Sequence, residues 1–251
     1  MFELHSAAVA HASAPLNVMM NIGMKESRER TAQIKDIDVD TFGRFCEFLY
    51  TGDYAGEPPG VREESSVQFG EVDFSGDNPE TERKRDTVPT GQSGMTLWSN
   101  FWSQKYEYAV PRRPPPDRAN ISPDEDYTPV FLSHARLYVL GDTYLVRLLC
   151  DLALHKLHHC LTEYELARGR PGDIVNLIRY AYANTRGLGT EPLRTLVAQY
   201  AAKEVGDLSG TPEFDALMKE EGDHSKDILS LVVQKLKRQT SQLPMTEQWR
   251  V

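Results

Sequence analysis

The histidines offer the first chemistry. In "HKLHHC" the chain brings together His155, His158, His159 and Cys160, and His155 and His159 stand four apart, the spacing at which two imidazoles on one helix face can share a metal. A closed zinc site needs four ligands, and neither a CxxC nor an HExxH pattern accompanies these residues. The run reads as a solvated or partly buried helix face, with a metal-dependent enzyme as the alternative. Cys46 falls within the apolar period of "DVDTFGRFCEFLYTG", a setting that raises a thiol pKa and hides it from substrate, so it reads as a core residue. No GxSxG elbow is present. "RGLGT" at 186–190 has two glycines but follows a helical pattern where a dinucleotide fold needs a strand, and it reads as a turn between helices. Glu220 with Glu221, and Asp124, Glu125 and Asp126, sit in polar surroundings that give no reason for their pKa values to separate. No catalytic, cofactor or metal residue is assigned, and the chain is expected to be non-enzymatic.

The elements that would carry a site are mostly helices. Ser6 and Ser13 suit the starts of two short helices, the second with Pro15 in its first turn and Leu16, Met19 and Met20 on one face. In "RTAQIKDI" polar Thr31, Gln33 and Lys35 alternate with Ala32 and Ile34, the period of a half-buried strand. Phe42, Phe45, Cys46 and Leu49 then follow at helical spacing, with Asp38 and Asp40 at the start and Gly52 at the end.

After a long interruption, Ser133 precedes a helix carrying Leu137 and Leu140. A break is expected at Gly141 and Asp142, then a long helix through Leu145, Leu148, Leu149, Leu152 and Leu157. Further helices are expected to open at Asp173, at Thr190 and Pro192, at Thr211 and Pro212, and at Ser225, the last presenting Ile228, Leu231, Val232 and Leu236. Residues 237–251 read as a tail.

The interruption, 55–129, holds ten of the fifteen prolines and keeps no period for long, so most of it is expected to be loop or disordered. One island, "MTLWSNFWSQKYEYAV", gathers Leu97, Trp98, Phe101 and Trp102. It reads either as a segment that docks on the protein's own surface or as a motif that folds on a partner. The tripeptide Arg83, Lys84 and Arg85 is at most a weak nuclear signal.

A formal net charge of −9 argues against a general nucleic-acid binder. No run of about 18 apolar residues is long enough to span a membrane, and Glu3 and His5 stand where a signal peptide would be basic. Three cysteines without a repeated close spacing are expected to be reduced thiols. These features lead to the expectation of an intracellular protein, cytoplasmic or nuclear.

The order of elements also carries a resemblance. "FELHSAAVAHASAPLNVMMNIGMKESRERTAQIKDIDVDTFGRFCEFLYTGDY", Phe2 to Tyr54, resembles the BTB/POZ domain: a strand ending in leucine and histidine, two short helices, a methionine-lysine-glutamate-serine turn, a strand, and a helix ending in "FLYTG". The likeness resumes in "SHARLYVLGDTYLVRLLCDLALHKLHHCL", similar to the paired helices that close that domain. With "DIVNLIRYAYANT" and "LRTLVAQYAA" added, the whole is most similar to BTB proteins of filamentous fungi.

The resemblance implies an α/β, mostly α, fold divided into a first BTB part at 1–54, an acidic and Pro-rich insertion at 55–129, closing helices at 130–165, and a C-terminal helical region and tail at 166–251. It implies a protein-binding adaptor without cofactor, of the kind that in some members meets a cullin scaffold of a ubiquitin ligase. The matching positions are Met24 and Glu26, with Tyr50 and Tyr54 where the family often meets its partner. The family's two earlier strands and first helix have no counterpart, which implies either a truncated start or a core patched by something else, and puts homodimers by the usual route in doubt. The second reading is a transcription-related or scaffold protein that oligomerises through the BTB part and recruits partners through Trp98, Phe101 and Trp102.

Overall fold

Side-chain caps set the first helices. Helix α1 (Ser6–Ala12) meets α2 (Ala14–Asn21) at Ser13, whose Oγ accepts the Leu16 N–H at 3.1 Å and donates to the Tyr144 carbonyl at 2.6 Å. One hydroxyl therefore caps a helix and ties it to a turn far along the chain. The short α3 (Lys25–Glu29) packs on α2, and α4 (Val39–Thr51) packs on α1. As its sequence requires, α4 opens at Asp38, whose carboxylate accepts the Thr41 N–H and hydroxyl, both at 2.8 Å. It closes at Gly52 in the left-handed region. Thr41, Phe45 and Phe48 are its buried side chains, with Phe42 and Leu49 packed against the core. Cys46, expected in the core, is only half-buried, because the buried stripe is rotated toward Thr41 and Phe48.

The protein is described by a computed structural model at residues 2–23, 25–29, 31, 32, 34, 37–61, 125–166, 171–187 and 190–241. Among these the fold is mostly helical, and the only strands are β1 (Gly60–Val61) and β2 (Glu125–Asp126), an antiparallel pair with Gly60 opposite Asp126. The strand expected over 30–37 falls partly outside the described residues, and its described members Thr31, Ala32 and Ile34 lie in no strand. At the two ends of the Pro-rich stretch the described residues are 55–61 and 125–129. Tyr127 is buried between Phe131 and Tyr164, 5.9 and 5.2 Å away by ring centroid.

The centre of the fold is a helical hairpin, α5 (Thr128–Thr143) and α6 (Arg147–Glu163). Ser133 does not open the first of these; α5 begins at Thr128, and Ser133 is fully buried inside it. Its N-terminus is capped from another helix: Asp173 accepts the Tyr127 N–H at 3.2 Å, the Thr128 hydroxyl at 3.0 Å and the Tyr164 hydroxyl at 3.0 Å. Gly141 lies within α5 rather than at a break, because a Cβ there would stand 2.8 Å from Cys150 Sγ, and its bareness lets the two helices approach. The chain turns instead at 144–146, with Leu145 left-handed at φ 55° and exposed, so Leu145 lies before the long helix expected to run through it. Within that helix Leu148 is exposed, and Leu149, Leu152 and Leu157 are buried.

The C-terminal region adds α7 (Gly172–Asn184), α8 (Pro192–Lys203), the single turn α9 (Val205–Leu208), α10 (Pro212–Lys219) and α11 (Asp223–Ser241). Leu193, Leu196, Val197 and Tyr200 bury the α8 face that their spacing announces. Its cap is Glu191 rather than Thr190, accepting the Arg194 N–H. Arg194 then knots three helices. Its guanidinium donates to the Thr185 hydroxyl at 2.8 Å and the Tyr182 carbonyl at 3.0 Å, pairs with Asp223 at 3.5 Å and lies 4.7 Å over the Tyr182 ring. Tyr182 in turn donates to Asp227 at 2.7 Å. In α11 Ile228 is buried and Leu231 and Val232 are half-buried, whereas Leu236, expected on that face, is exposed; the helix runs on through residues read as a tail.

Candidate functional site

The segment leaving α4, "TGDYAGE", is a strap sewn across the hairpin, and it gathers the densest set of buried polar groups among the described residues. Thr51 Oγ accepts the Asp53 N–H at 3.1 Å and so turns the chain back. Asp53 forms an ion pair with Lys156 of α6 at 2.5 Å, and Lys156 also donates to the Tyr54 carbonyl at 2.5 Å with its ammonium 4.4 Å from the Tyr54 ring centre. Both charged side chains are about as buried as the core around them.

The Tyr54 ring turns inward, 2 % exposed, and its hydroxyl lies 2.8 Å from His134 Nδ1 on α5. His134 Nε2 faces Cys160 Sγ at 3.7 Å. Gly56 passes so close over this imidazole that a Cβ would stand 2.9 Å from it. Ala55 donates to Glu47 at 2.9 Å, and its carbonyl accepts from Arg44 at 3.2 Å. The Glu57 N–H donates to the Ser133 hydroxyl oxygen at 3.2 Å, and its carboxylate accepts from Arg44 at 3.3 Å.

Electrostatics hold these groups in unreactive forms. Burial, with Lys156 and Arg44 nearby, drives the His134 pKa down to about 3, so the ring is neutral at ordinary pH. Burial raises the Tyr54 phenol well above its ordinary value, with Cys160 and Asp53 adding to the effect. The Cys160 thiol is pushed up to about 12 by burial. A neutral phenol, a neutral imidazole and a neutral thiol in contact make no thiolate–imidazolium pair. What the arrangement does is join α4 to α5 and α6.

The expected site residues separate accordingly. Tyr54 is corrected: its ring is a core group and presents nothing to a partner. Tyr50 does stand at the surface, 51 % exposed, its hydroxyl accepting the His5 backbone N–H at 3.0 Å and lying 2.9 Å from His5 Nδ1. About two turns earlier on α4, the extended segment before α1 lays Phe2 against Phe42, centroids 5.0 Å apart. Glu26 is half-buried in the first turn of α3, connected to Tyr50 only through the packing of α3 on α2, α2 on α1 and α1 on α4.

Met24, Trp98, Phe101 and Trp102 lie outside the described residues. His155 and His159 sit half-buried on α6, and no group of three or more potential ligands among the described residues is placed to hold a metal. No described helix is long and apolar enough to cross a membrane.

The sequence reading overlooked Asp53, His134 and Lys156. A signal for Lys156 was present: Ala153, Lys156, Leu157 and Cys160 follow one another at i, i+3, i+4 and i+7, so the lysine falls on an apolar stripe and needs a buried acid. No family model, curated protein or solved structure matches the chain.

Proposed function

We propose that the chain is a non-enzymatic, protein-binding adaptor of BTB/POZ type, and that the surface formed by α1 to α4 meets a cullin-type ubiquitin ligase scaffold. Met24 and Glu26 in the turn before and within α3 supply a flexible apolar plug and a register-setting charge, and Tyr50 supplies an aromatic anchor. The observation that carries the reading is the division of the "FLYTGDY" stretch. Tyr54 and Asp53 are consumed by the core, while Tyr50, one helix turn earlier, is turned outward and held in place by His5. A half-exposed tyrosine hydrogen-bonded to His5 has the character of an interface anchor.

Capture of the purified full chain by an immobilised cullin N-terminal region tests this. Glu26→Ala and Tyr50→Ala are each expected to weaken capture by about tenfold, with thermal midpoints unchanged. Capture unaffected by both substitutions would sink the contact. Capture lost instead on deletion of residues 95–110 would assign the partner to the insertion.

A further inference from the structure

Helix α11 is apolar on two sides, and the fold uses one. Ile228, Leu231 and Val232 face α8 and the core. Leu229, Val233 and Leu236 follow a separate line at spacings of four and three, and they are 59, 37 and 55 % exposed. That spacing is the seam by which one helix receives another. Solvated leucines on an otherwise polar helix face add nothing to this fold, so the stripe calls for an occupant.

Charge identifies the occupant. The chain carries a net −9, yet from Ile228 to Ser241 it has Lys235, Lys237 and Arg238 and no acid. The two aspartates at the start of α11 already have partners, Asp223 an ion pair with Arg194 and Asp227 a hydrogen bond from Tyr182. We propose that Leu229, Val233 and Leu236, flanked by Lys235 and Lys237, form a docking surface for an acidic amphipathic helix of another protein. A second copy fits less well. It would bring a face carrying the same Lys235 and Lys237, and no acid from Ile228 to Ser241, against an identical one, so neither copy offers the charge that the other needs. A lipid surface also fits less well, since three cations and an aliphatic stripe without aromatics fall short of the usual basic cluster and interfacial anchors. This surface stands apart from α1 to α4, and its failure or success leaves the cullin proposal where it is.

The test uses the full chain and a fluorescein-labelled synthetic peptide of three heptads, with leucine at the a and d positions and glutamate at e and g. Anisotropy should rise saturably with this peptide, weaken as salt goes from about 50 to about 500 mM, and stay flat with the lysine version of the peptide. The double variant Leu229→Ser, Leu236→Ser should keep the wild-type thermal midpoint, since both positions are exposed, and lose about tenfold or more in affinity.

Absence of binding below about 1 mM, equal binding of the lysine peptide, or wild-type affinity in the variant would overturn the proposal. So would co-sedimentation with phosphatidylserine vesicles, or a concentration-dependent dimer, that the same variant abolishes while the peptide fails to bind.

Discussion

The Tyr54 hydroxyl and His134 Nδ1 lie 2.8 Å apart across 80 residues of chain. With the Asp53–Lys156 ion pair beside it, this contact makes the end of α4 an internal fastener. The first helices are held to the hairpin both by buried apolar side chains such as Phe45 and Phe48 and by a few buried polar groups that must all be satisfied together.

Asp53→Ala should therefore be costly. It leaves the Lys156 ammonium buried opposite no carboxylate, and a loss of about 3–5 kcal/mol is expected in urea unfolding. The double variant Asp53→Ala, Lys156→Met removes both charges and should recover a large part of that loss. A double variant no more stable than Asp53→Ala would show that the pair does not act as a unit.

His134 makes stability depend on pH. Its folded pKa, about 3, is far below the 6.5 of an unconstrained imidazole. The unfolded chain thus binds a proton that the folded one refuses, and stability present above pH 6.5 is lost as the pH falls toward 3. The slope from this residue is at most about 1.4 kcal/mol per pH unit. Replacing both partners, His134→Leu with Tyr54→Phe, should remove that part of the slope when unfolding free energy is followed across the range. An unchanged slope would refute the assignment.

A second titration runs the other way. Asp126 and Asp173 converge on Thr128, one accepting its N–H and the other its hydroxyl, each at 3.0 Å. Burial first, and then the hydrogen bond with Asp126, raise the Asp173 pKa, because two carboxyls can bond only through a shared proton. A raised folded pKa gives stability that is full below the unfolded value of 3.8 and is lost as pH rises through the folded one. Asp126→Asn puts an amide donor in place of that proton. It should stabilise the protein by about 1 kcal/mol at neutral pH and have no such benefit near pH 3, as chemical unfolding at the two values would reveal.

Gly56→Ala would push a methyl group into the His134 ring. A cost of about 1–3 kcal/mol is expected, together with a changed environment for His134 in its nuclear magnetic resonance spectrum. Arg194→Lys, a change of similar charge, should also destabilise by about 1–3 kcal/mol, because an ammonium cannot reach Thr185, Tyr182 and Asp223 at once. A thermal midpoint equal to the wild type would count against either.

Where structure is decided within one helical turn, the sequence was a good guide. Ser13 and Asp38 cap the helices they precede, Gly52 ends α4, and the i, i+3, i+4 pattern of α8 names its buried residues. Readings failed where the deciding partner is remote. Asp173 looks like the cap of its own helix, but its carboxylate serves Tyr127 and Thr128, more than forty positions earlier. Tyr54 looks like a surface aromatic until His134 is brought beneath it. Leu145 fits the period of α6, yet the hairpin needs a turn there and takes it at the leucine. The expected strand over 30–37 was inferred from alternation alone, and among the described residues Thr31 and Ala32 have no neighbouring strand to pair with.

The two-stranded ribbon has a further consequence. Because Gly60 faces Asp126 and Val61 faces Glu125, the chain leaves the described fold at residue 61 and re-enters it at 125 through two strands held side by side. A flexible segment added between such paired ends costs little to close, about 0.6 kcal/mol for each doubling of its length. The ribbon is thus a point at which evolution, or an engineer, can graft a further sequence with little retuning of the helices that carry it.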